Sequence, residues 1–202
     1  GILSEPLQFI RDLGLNPGFD VCELGDQWIT CETPYRLAKN FYISDLGANK
    51  YVSIDGNGRG THTHDLNYRL PKDFGQFDLV TDFGTGEHIF DQARVWQTIH
   101  YLARAGGFIV FDRPTQGYDR NGGHCYYNSH ICLFKDIAYA NDYKIVRLEE
   151  RDTTRGKLIR GAFQKVNAAK FVIPQQGRYK KLLRPIGADD VWIAKQAAAA
   201  AK

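Results

Sequence analysis

Two short apolar stretches that each close on an acid constrain this chain most. The first reads D-V-C-E-L-G over residues 20–25, and the second reads Y-V-S-I-D over residues 51–55. A stretch of helical length, residues 34–46, separates them, so the order predicts a β-α-β unit. Its first turn contains Gly25 and its second strand ends in Asp55. Such a unit suits a nucleoside, because glycine permits close approach to the backbone and a carboxylate can accept from both ribose hydroxyls.

The rest of the chain continues this alternation. The predicted helices cover residues 5–15, 34–46, 91–105 and about 129–141, and the predicted strands cover residues 19–24, 51–54, 61–66, 77–81, 108–111, 144–150 and 158–165. Thr33 is expected to cap the second helix, and Pro34 to begin it. The pattern predicts an α/β fold with a mainly parallel sheet, helices on both faces and a closing hairpin.

Length and composition favour one globular domain. The chain has 202 residues, of which 43% are hydrophobic and 24% charged, with a formal net charge of +3. This charge is too small to indicate a nucleic-acid surface, so nucleic acid is not an expected partner. The sequence has no apolar run of 18 residues and no signal peptide at Gly1, and its four cysteines form no C-x-x-C pair. We therefore expect a cytoplasmic protein without a membrane span or a zinc site.

The chain is expected to divide near residue 166. Residues 1–166 are predicted to form the α/β domain, with residues 1–18 as an N-terminal helix and turn. Residues 167–202 are predicted to form a C-terminal appendage with a helix from about Ala188. This appendage could pack on the sheet edge or support a homo-oligomer or a larger assembly.

The residues after Gly25 narrow the choice of nucleoside. A dinucleotide site would need G-x-G-x-x-G, but here Asp26 and Gln27 follow Gly25, and Asp26 would repel a pyrophosphate. A phosphate-binding G-K-[ST] is absent as well. A cofactor with a ribose and a cationic amino-acid end fits better, since Glu23 would suit an ammonium or a sulfonium.

At these positions the chain resembles the class I S-adenosylmethionine-dependent methyltransferases, and the resemblance covers residues 21–166. In that family the first strand ends in E-x-G-x-G-x-G; here Glu23 and Gly25 match, while Gln27 replaces the second glycine. Asp55 matches the acid that binds the ribose. The resemblance implies a three-layer Rossmann-like fold, whose seven-stranded, mostly parallel sheet has an antiparallel last strand.

Later motifs extend the resemblance in chain order. Asp65 matches an acid near the adenine, the strand F-D-L-V-T is followed by Asp82 and Phe83, and an E-H pair stands at residues 87–88. The implied cofactor is S-adenosylmethionine. The residues implied to bind it are Glu23, Gly25, Gln27, Asp55, Asp65, Leu66, Asp82 and Phe83.

Methyl transfer from a sulfonium needs an aligned nucleophile and a group that removes its proton. Candidates lie after the fourth and fifth strands, where His124 is the first choice as general base, with His88 and Asp112 as further catalytic candidates. Arg113 and Tyr118 are predicted to bind the substrate. Alternatives stay open: His88 could only orient a loop, His124 could be a solvent-exposed loop residue, and Asp112 could only bond loop amides.

The sequence leaves the acceptor open. The His62-x-His64 pair could chelate a metal, but no third ligand stands at a telling spacing, so we expect no metal. Without N/D-P-P-Y after the fourth strand, a small molecule or a glycan is the expected acceptor, with O-methylation favoured over N-methylation. Two other functions remain: a decayed methyltransferase-like binding or structural module, and another nucleotide-dependent Rossmann enzyme.

Overall fold

The computed structural model describes residue 2 and residues 4–118 and 124–176, and it contains one seven-stranded sheet with helices on both faces. The helices are α1 (Ser4–Asp12), α2 (Ala38–Asn40), α3 (Gln92–Leu102) and α4 (Ile131–Ala140). The strands are β1 (Asp20–Leu24), β2 (Lys50–Asp55), β3 (His62–Thr63), β4 (Phe77–Phe83), β5 (Ala103–Pro114), β6 (Tyr143–Thr153) and β7 (Gly156–Lys165). The helix predicted from Ala188 lies outside the described residues.

The strand order is β3-β2-β1-β4-β5-β7-β6. Strands β1 to β5 run parallel to one another, and β7 is antiparallel to both β5 and β6. The predicted sheet, with its antiparallel last strand, is therefore confirmed. The chain order reverses beside β1, which pairs with β2 on one side and β4 on the other. Ligands of open α/β sheets bind outside the carboxyl ends of the strands at such a switch point.

Two apolar clusters make the fold three-layered. One cluster packs α3 and α4 on one face of the sheet, through residues such as Trp96, Ile99 and Phe134. The other packs α1 and the α2 region on the opposite face, through residues such as Leu7 and Phe41. Both faces of the central strands are thus buried, as their continuous apolar sequences require.

The second helix begins later than predicted. Residues 27–29 pair with the segment before Ala38, since Trp28 bridges Leu37 and the Ile29 amide donates to the Arg36 carbonyl at 2.9 Å. This pairing keeps the segment extended, so the prediction that Pro34 begins the helix was wrong. Thr33 does not act as a cap either, because its hydroxyl accepts from the Tyr35 amide in a local turn. After α2 the helix continues as a π-helical turn, Phe41–Asp45.

The third helix ends earlier than predicted, at Leu102 instead of residue 105. Ala103 already pairs with Phe77 of β4, so the chain passes directly into β5, and an irregularity in the ladder follows. Asp91 caps α3 by accepting from the Arg94 amide. None of the described helices has the length and apolarity that crossing a bilayer needs.

The chain after β7 lies against the ends of α3 and α4. His100 Nε2 is 2.7 Å from the Ala169 carbonyl, and the Asn141 side chain bonds both the amide and the carbonyl of Val172. Phe171 packs against the His100 ring. The described start of the predicted appendage is therefore docked on the domain.

Candidate functional site

Two cavities open at the carboxyl edge of the sheet. The β2-side cavity, of about 490 Å³, lies at the ends of β1, β2 and β4, and it is lined by Gln27, Ile54, Asp55, Gly56, His64, Asp65, Leu66, Gly84, Thr85, His88 and Ile89. The β5-side cavity, of about 290 Å³, is lined by Ile2, Pro6, Thr30, Phe83, Gly84, Glu87, Asp112, Tyr118, His124, Thr153, Thr154, Arg155 and Leu158. Gly84 lines both, so the cavities adjoin at the end of β4. Most of the predicted site residues line one cavity or the other, whereas Glu23, Gly25, Asp82 and Arg113 line neither.

Asp55 lies at the end of β2, on the wall of the β2-side cavity. Its Oδ2 accepts from the Asp26 amide and its Oδ1 from the Asn57 amide, each at 3.0 Å. A carboxylate has about four acceptor positions, so two remain for a ligand's hydroxyl groups. The local geometry thus fixes Asp55 while leaving it able to accept further bonds.

The turn after β1 is closed by side chains instead of further glycines. Gly25 has φ +80°, and a Cβ there would lie 2.2 Å from Thr85 Oγ1 and 2.7 Å from Gln27 Nε2. Gln27 Nε2 donates to Thr85 Oγ1, which in turn donates to the Leu24 carbonyl, each at 2.9 Å. The Gln27–Thr85 pair therefore fills the space above Gly25 and ties β1 to the loop after β4.

Glu23 is 0% exposed and lines neither cavity. It accepts from the Tyr51 hydroxyl at 2.7 Å and from the Gln27 amide at 3.2 Å. Burial raises its pKa to about 8, although these hydrogen bonds act in the opposite direction. In this arrangement Glu23 supports the turn that carries Gln27, and any effect on a ligand passes through that turn.

Asp65 and Leu66, which the sequence predicts to bind the cofactor, also line the β2-side cavity. Asp65 is exposed, and its Oδ1 accepts from the amide and the side chain of Asn67, each at 2.9 Å. Leu66 is buried and offers an apolar surface beside Ile54 and Ile89. A planar apolar ring with polar edges would match this lining.

Asp112 lines the β5-side cavity in a close ion pair. Arg160, its neighbour on β7, donates to both carboxylate oxygens at 2.8 and 2.6 Å. Burial raises the pKa of Asp112, and Arg160 opposes the shift. Asp112 was predicted as a catalytic candidate; the structure commits its carboxylate to the guanidinium, which suits a fixed negative charge better than a proton acceptor.

Arg113 lies on the opposite face of β5, because neighbouring side chains of a strand alternate. It is 1% exposed and lies 2.6 Å from Asp82 Oδ2 and 3.4 Å from Glu87 Oε2. The prediction that Arg113 binds substrate needs correction, since a substrate would have to displace two buried carboxylates to reach it. Arg113 instead holds the loop after β4.

Asp82 and Phe83, which were predicted to bind the cofactor, do not line the β2-side cavity. Asp82 Oδ1 accepts from the amides of Thr85 and Gly86 at 3.1 and 3.0 Å, so it shapes the loop from beneath. Asp82 lines neither cavity, and Phe83 lines the β5-side cavity. Both residues position Gly84 and its neighbours.

The E-H pair stands where the cavities meet. Glu87 lines the β5-side cavity and His88 the β2-side cavity. His124 packs its ring at 5.1 Å from that of His88 and at 5.3 Å from that of Tyr118. Burial raises the pKa of Glu87 to about 7, while burial and the neighbouring His124 lower the pKa of His88. The structure thus brings the predicted His88, His124 and Tyr118 into one group.

Sequence reasoning missed several contributors. Thr85 and Arg160 carry no local motif, and Arg155 reaches the site only because the β6–β7 turn folds towards the loop after β5. Arg155 NH2 lies 3.5 Å from His124 Nδ1. A signal existed only for Glu87, as part of the E-H pair. The His62-x-His64 pair is not a joint site, because only His64 lines a cavity, whereas His62 packs on Phe74.

The sheet order and the cavity at the β1–β4 switch point define the class I S-adenosylmethionine-dependent methyltransferase fold. The N-methyltransferase NodS from Bradyrhizobium japonicum, solved with S-adenosylhomocysteine, has a TM-score of 0.56 at 14% identity, covering 81% of this chain and 86% of that chain. An S-adenosylmethionine-dependent methyltransferase from Mesorhizobium loti has 0.57 at 15%, covering 78% and 96%.

A third similar structure is the magnesium protoporphyrin IX methyltransferase from Synechocystis PCC 6803 with bound S-adenosylhomocysteine, at a TM-score of 0.54 and 16% identity, covering 79% of this chain and 80% of that chain. No model of a known protein family matches the sequence, and no curated protein matches it either. Likeness at this level of identity establishes the fold. Of the three names, only that of the Synechocystis protein gives an acceptor, magnesium protoporphyrin IX.

Proposed function

We propose that this protein transfers a methyl group from S-adenosylmethionine to an oxygen atom of a small-molecule or glycan acceptor. The observation that carries the proposal is the junction of two cavities at Gly84, with Asp55 on one side and His124 on the other. The cofactor would occupy the β2-side cavity and the acceptor the β5-side cavity. The methyl group would then pass between them beside residues 84–88.

The β2-side cavity offers what a cofactor nucleoside needs. Asp55 would accept from the ribose hydroxyls, Asp65 would bond a polar edge of the adenine, and Leu66 with Ile89 would contact its faces. Gln27 would meet the amino-acid end through its side-chain amide. The three similar structures support this choice of cofactor through their fold, and two of them were solved with S-adenosylhomocysteine.

The β5-side cavity offers groups for the acceptor. His124 is the proposed general base, and Tyr118 and Arg155 would contact the acceptor from the same wall. His88, at the junction, would hold the loop or share the proton. Asp112, paired with Arg160, contributes a fixed charge, so its role is electrostatic orientation in place of catalysis.

A thermal-shift comparison tests the cofactor. S-adenosylhomocysteine should raise the melting temperature of the wild type in a dose-dependent manner, because it binds only the folded state, whereas NAD(H) should have no effect. A response to NAD(H) alone would overturn the proposal in favour of another nucleotide-dependent enzyme. An acceptor screen that measures S-adenosylhomocysteine release, with His124→Ala as the inactive control, then tests the reaction.

One observation favours a second function, a methyltransferase-like binding module without catalysis. The Gln27–Thr85 pair occupies the space above Gly25 that the resemblance assigns to the family's glycine turn. If the pair excludes the cofactor, calorimetry will detect no S-adenosylhomocysteine binding at high micromolar concentration, and the module becomes the better function. The C-terminal segment, residues 167–202, would then be the proposed surface for assembly.

A further inference from the structure

Glu87, His88 and His124 form a compact set of metal-ligand groups. One ligand atom from each residue lies within 4.8 Å of the others. Glu87 and His88 come from the short 3₁₀ turn after β4, and His124 comes from the loop after β5, so the set unites the two loops. A carboxylate and two imidazoles are ligands that bind divalent transition metals, with Zn²⁺ among them.

The buried charges beside this set favour a cation. Asp82 and Glu87 are two buried carboxylates that share one buried guanidinium, that of Arg113. Arg113, held in place by Asp82, would also orient Glu87 from behind, as carboxylate ligands of metals are commonly oriented. Arg155 brings a positive charge near His124, but Arg155 is exposed, so solvent screens that charge.

The position of the set matches a catalytic centre more closely than a structural one. Glu87 Oε1 would lie 3.3 Å from a Cβ at Gly84, so the carboxylate is directed at the residue that both cavities share. Three protein ligands leave at least one coordination position open, as in catalytic zinc sites, whereas structural sites are closed by four. The open position would be accessible to a molecule in the β5-side cavity.

We infer that Glu87, His88 and His124 bind a divalent transition metal ion that holds the acceptor's hydroxyl oxygen. This proposal departs from the expectation from the sequence that the chain binds no metal, which weighed only His62 and His64. The role in catalysis rests on the proposed methyl transfer; the metal site itself does not. Sequence spacing could not reveal this set of ligands, because His124 lies 36 positions after His88.

The step that follows balances without an oxidant or a reductant. With the site loaded, the acceptor's hydroxyl oxygen would lie on the metal, which lowers the pKa of the hydroxyl, and the proton would leave to solvent. His124 would then act as a metal ligand in place of the general base proposed above. The oxygen then forms a bond to the methyl carbon, and the carbon–sulfur bond breaks with its electron pair on sulfur. The products are the methyl ether and S-adenosylhomocysteine.

Calorimetry on the full chain tests the site. Chelator-treated protein is titrated with Zn²⁺, and Co²⁺ absorption reports the coordination geometry. We expect one equivalent of Zn²⁺ to bind, and His88→Ala and His124→Ala each to weaken binding more than about 100-fold, since even residues behind a ligand cost 10- to 100-fold. His62→Ala is the matched control and should bind as the wild type does.

Each result of this experiment either supports or overturns the metal site. Absence of Zn²⁺ binding by folded wild type, unaltered binding in both histidine variants, or loss of binding in His62→Ala would overturn the site. Circular dichroism verifies the fold of each variant, and both histidines lie near the surface, so their replacement should leave it intact. S-adenosylhomocysteine binding, measured by thermal shift on the same samples, distinguishes the metal site from the proposed methyl transfer. If the protein binds Zn²⁺ but not S-adenosylhomocysteine, the metal site stands and its role in methyl transfer is overturned.

Discussion

The two cavities differ in how their charged groups are satisfied. In the β2-side cavity, Asp55 and Asp65 accept from nearby backbone amides and remain partly exposed. In the β5-side cavity, Asp112 is neutralised by Arg160, and Glu87 shares Arg113 with Asp82. The first arrangement leaves acceptor positions for a ligand, whereas the second fixes buried charges in place. The carboxylates of the β2-side cavity are therefore available to a ligand, whereas those of the β5-side cavity are held in place by arginine side chains.

This difference predicts which substitutions should mainly affect stability and which should mainly affect ligand binding. Removing a buried guanidinium leaves uncompensated carboxylates and should unfold the protein more readily. Removing a carboxylate that bonds amides at a partly exposed turn should affect ligand binding first. Four substitutions test this expectation.

Arg113→Met should lower the free energy of unfolding by about 3–5 kcal/mol, because Asp82 and Glu87 lose their shared buried partner. Urea denaturation measures the change. Arg104→Met is the matched control, since Arg104 pairs with Asp20 and Asp78 while 39% of its side chain stays exposed, and it should cost less than about 1 kcal/mol. Equal costs would break the contrast between buried and exposed pairs.

Glu23→Gln should remove part of the pH dependence of stability. Burial raises the native pKa of Glu23 from 4.5 to about 8, so the native state keeps a proton that the unfolded chain releases in this interval. This contribution to the free energy of unfolding is complete below about pH 4.5 and is lost as the pH rises through about 8, by up to about 5 kcal/mol.

Urea denaturation between pH 5 and about pH 8 should therefore show a decline for the wild type and a flatter profile for Glu23→Gln. The exposed Glu32→Gln serves as the matched control and should keep the wild-type decline. A variant profile as steep as that of the wild type would show that Glu23 is ionised in the native protein.

Asp55→Ala should weaken S-adenosylhomocysteine binding by about 1.5–3 kcal/mol, or roughly 10- to 150-fold, through the loss of hydrogen bonds to a charged acceptor. Calorimetry gives the affinity, and thermal unfolding verifies that the variant is folded. Asp45→Ala, whose carboxylate pairs with Arg11 away from both cavities, should bind as the wild type does. Wild-type affinity in Asp55→Ala would remove the ribose role proposed for this carboxylate.

Gln27→Ala should cost only about 0.5–1.5 kcal/mol of stability, the contribution of one hydrogen bond to Thr85. The same change opens the space above Gly25 and should strengthen S-adenosylhomocysteine binding if the pair obstructs the amino-acid end. Weaker binding would instead show that the Gln27 amide contacts the cofactor. Thr85→Val removes the same bond from its other end, together with the bond from Thr85 to the Leu24 carbonyl, and should therefore cost more stability than Gln27→Ala.

The sequence predicted the parts of the molecule that depend on neighbours in the chain. The strands, their carboxyl ends and Asp55 follow from apolar runs that close on an acid. The start of α2 could not be predicted, because the pairing of Trp28 with Leu37 overrides the local signal of Thr33. Tertiary structure wins there over capping preference.

In the candidate site, too, some residues could be predicted from the sequence and others could not. Gln27, Asp55 and Leu66 lie on one cavity wall because each stands within a few residues of a predicted strand end. The burial of Arg113 could not be predicted from the sequence, because its carboxylate partners come from the end of β4 and from the turn after it. The approach of His124 to His88 likewise needs two loops to fold together.

The β6–β7 hairpin lines the β5-side cavity, where we propose that the acceptor binds. Its turn supplies Thr153, Thr154 and Arg155 to the β5-side cavity and contributes nothing to the β2-side cavity. Gly156 fits against Gly117 and Tyr118, where a Cβ would lie only 2.7 Å from the Gly117 carbonyl. Hairpin turns tolerate changes of length. Lengthening or shortening this turn would therefore reshape the β5-side cavity, the proposed acceptor site, while the opposite cavity keeps its shape. The range of acceptors could then change without a change in cofactor binding.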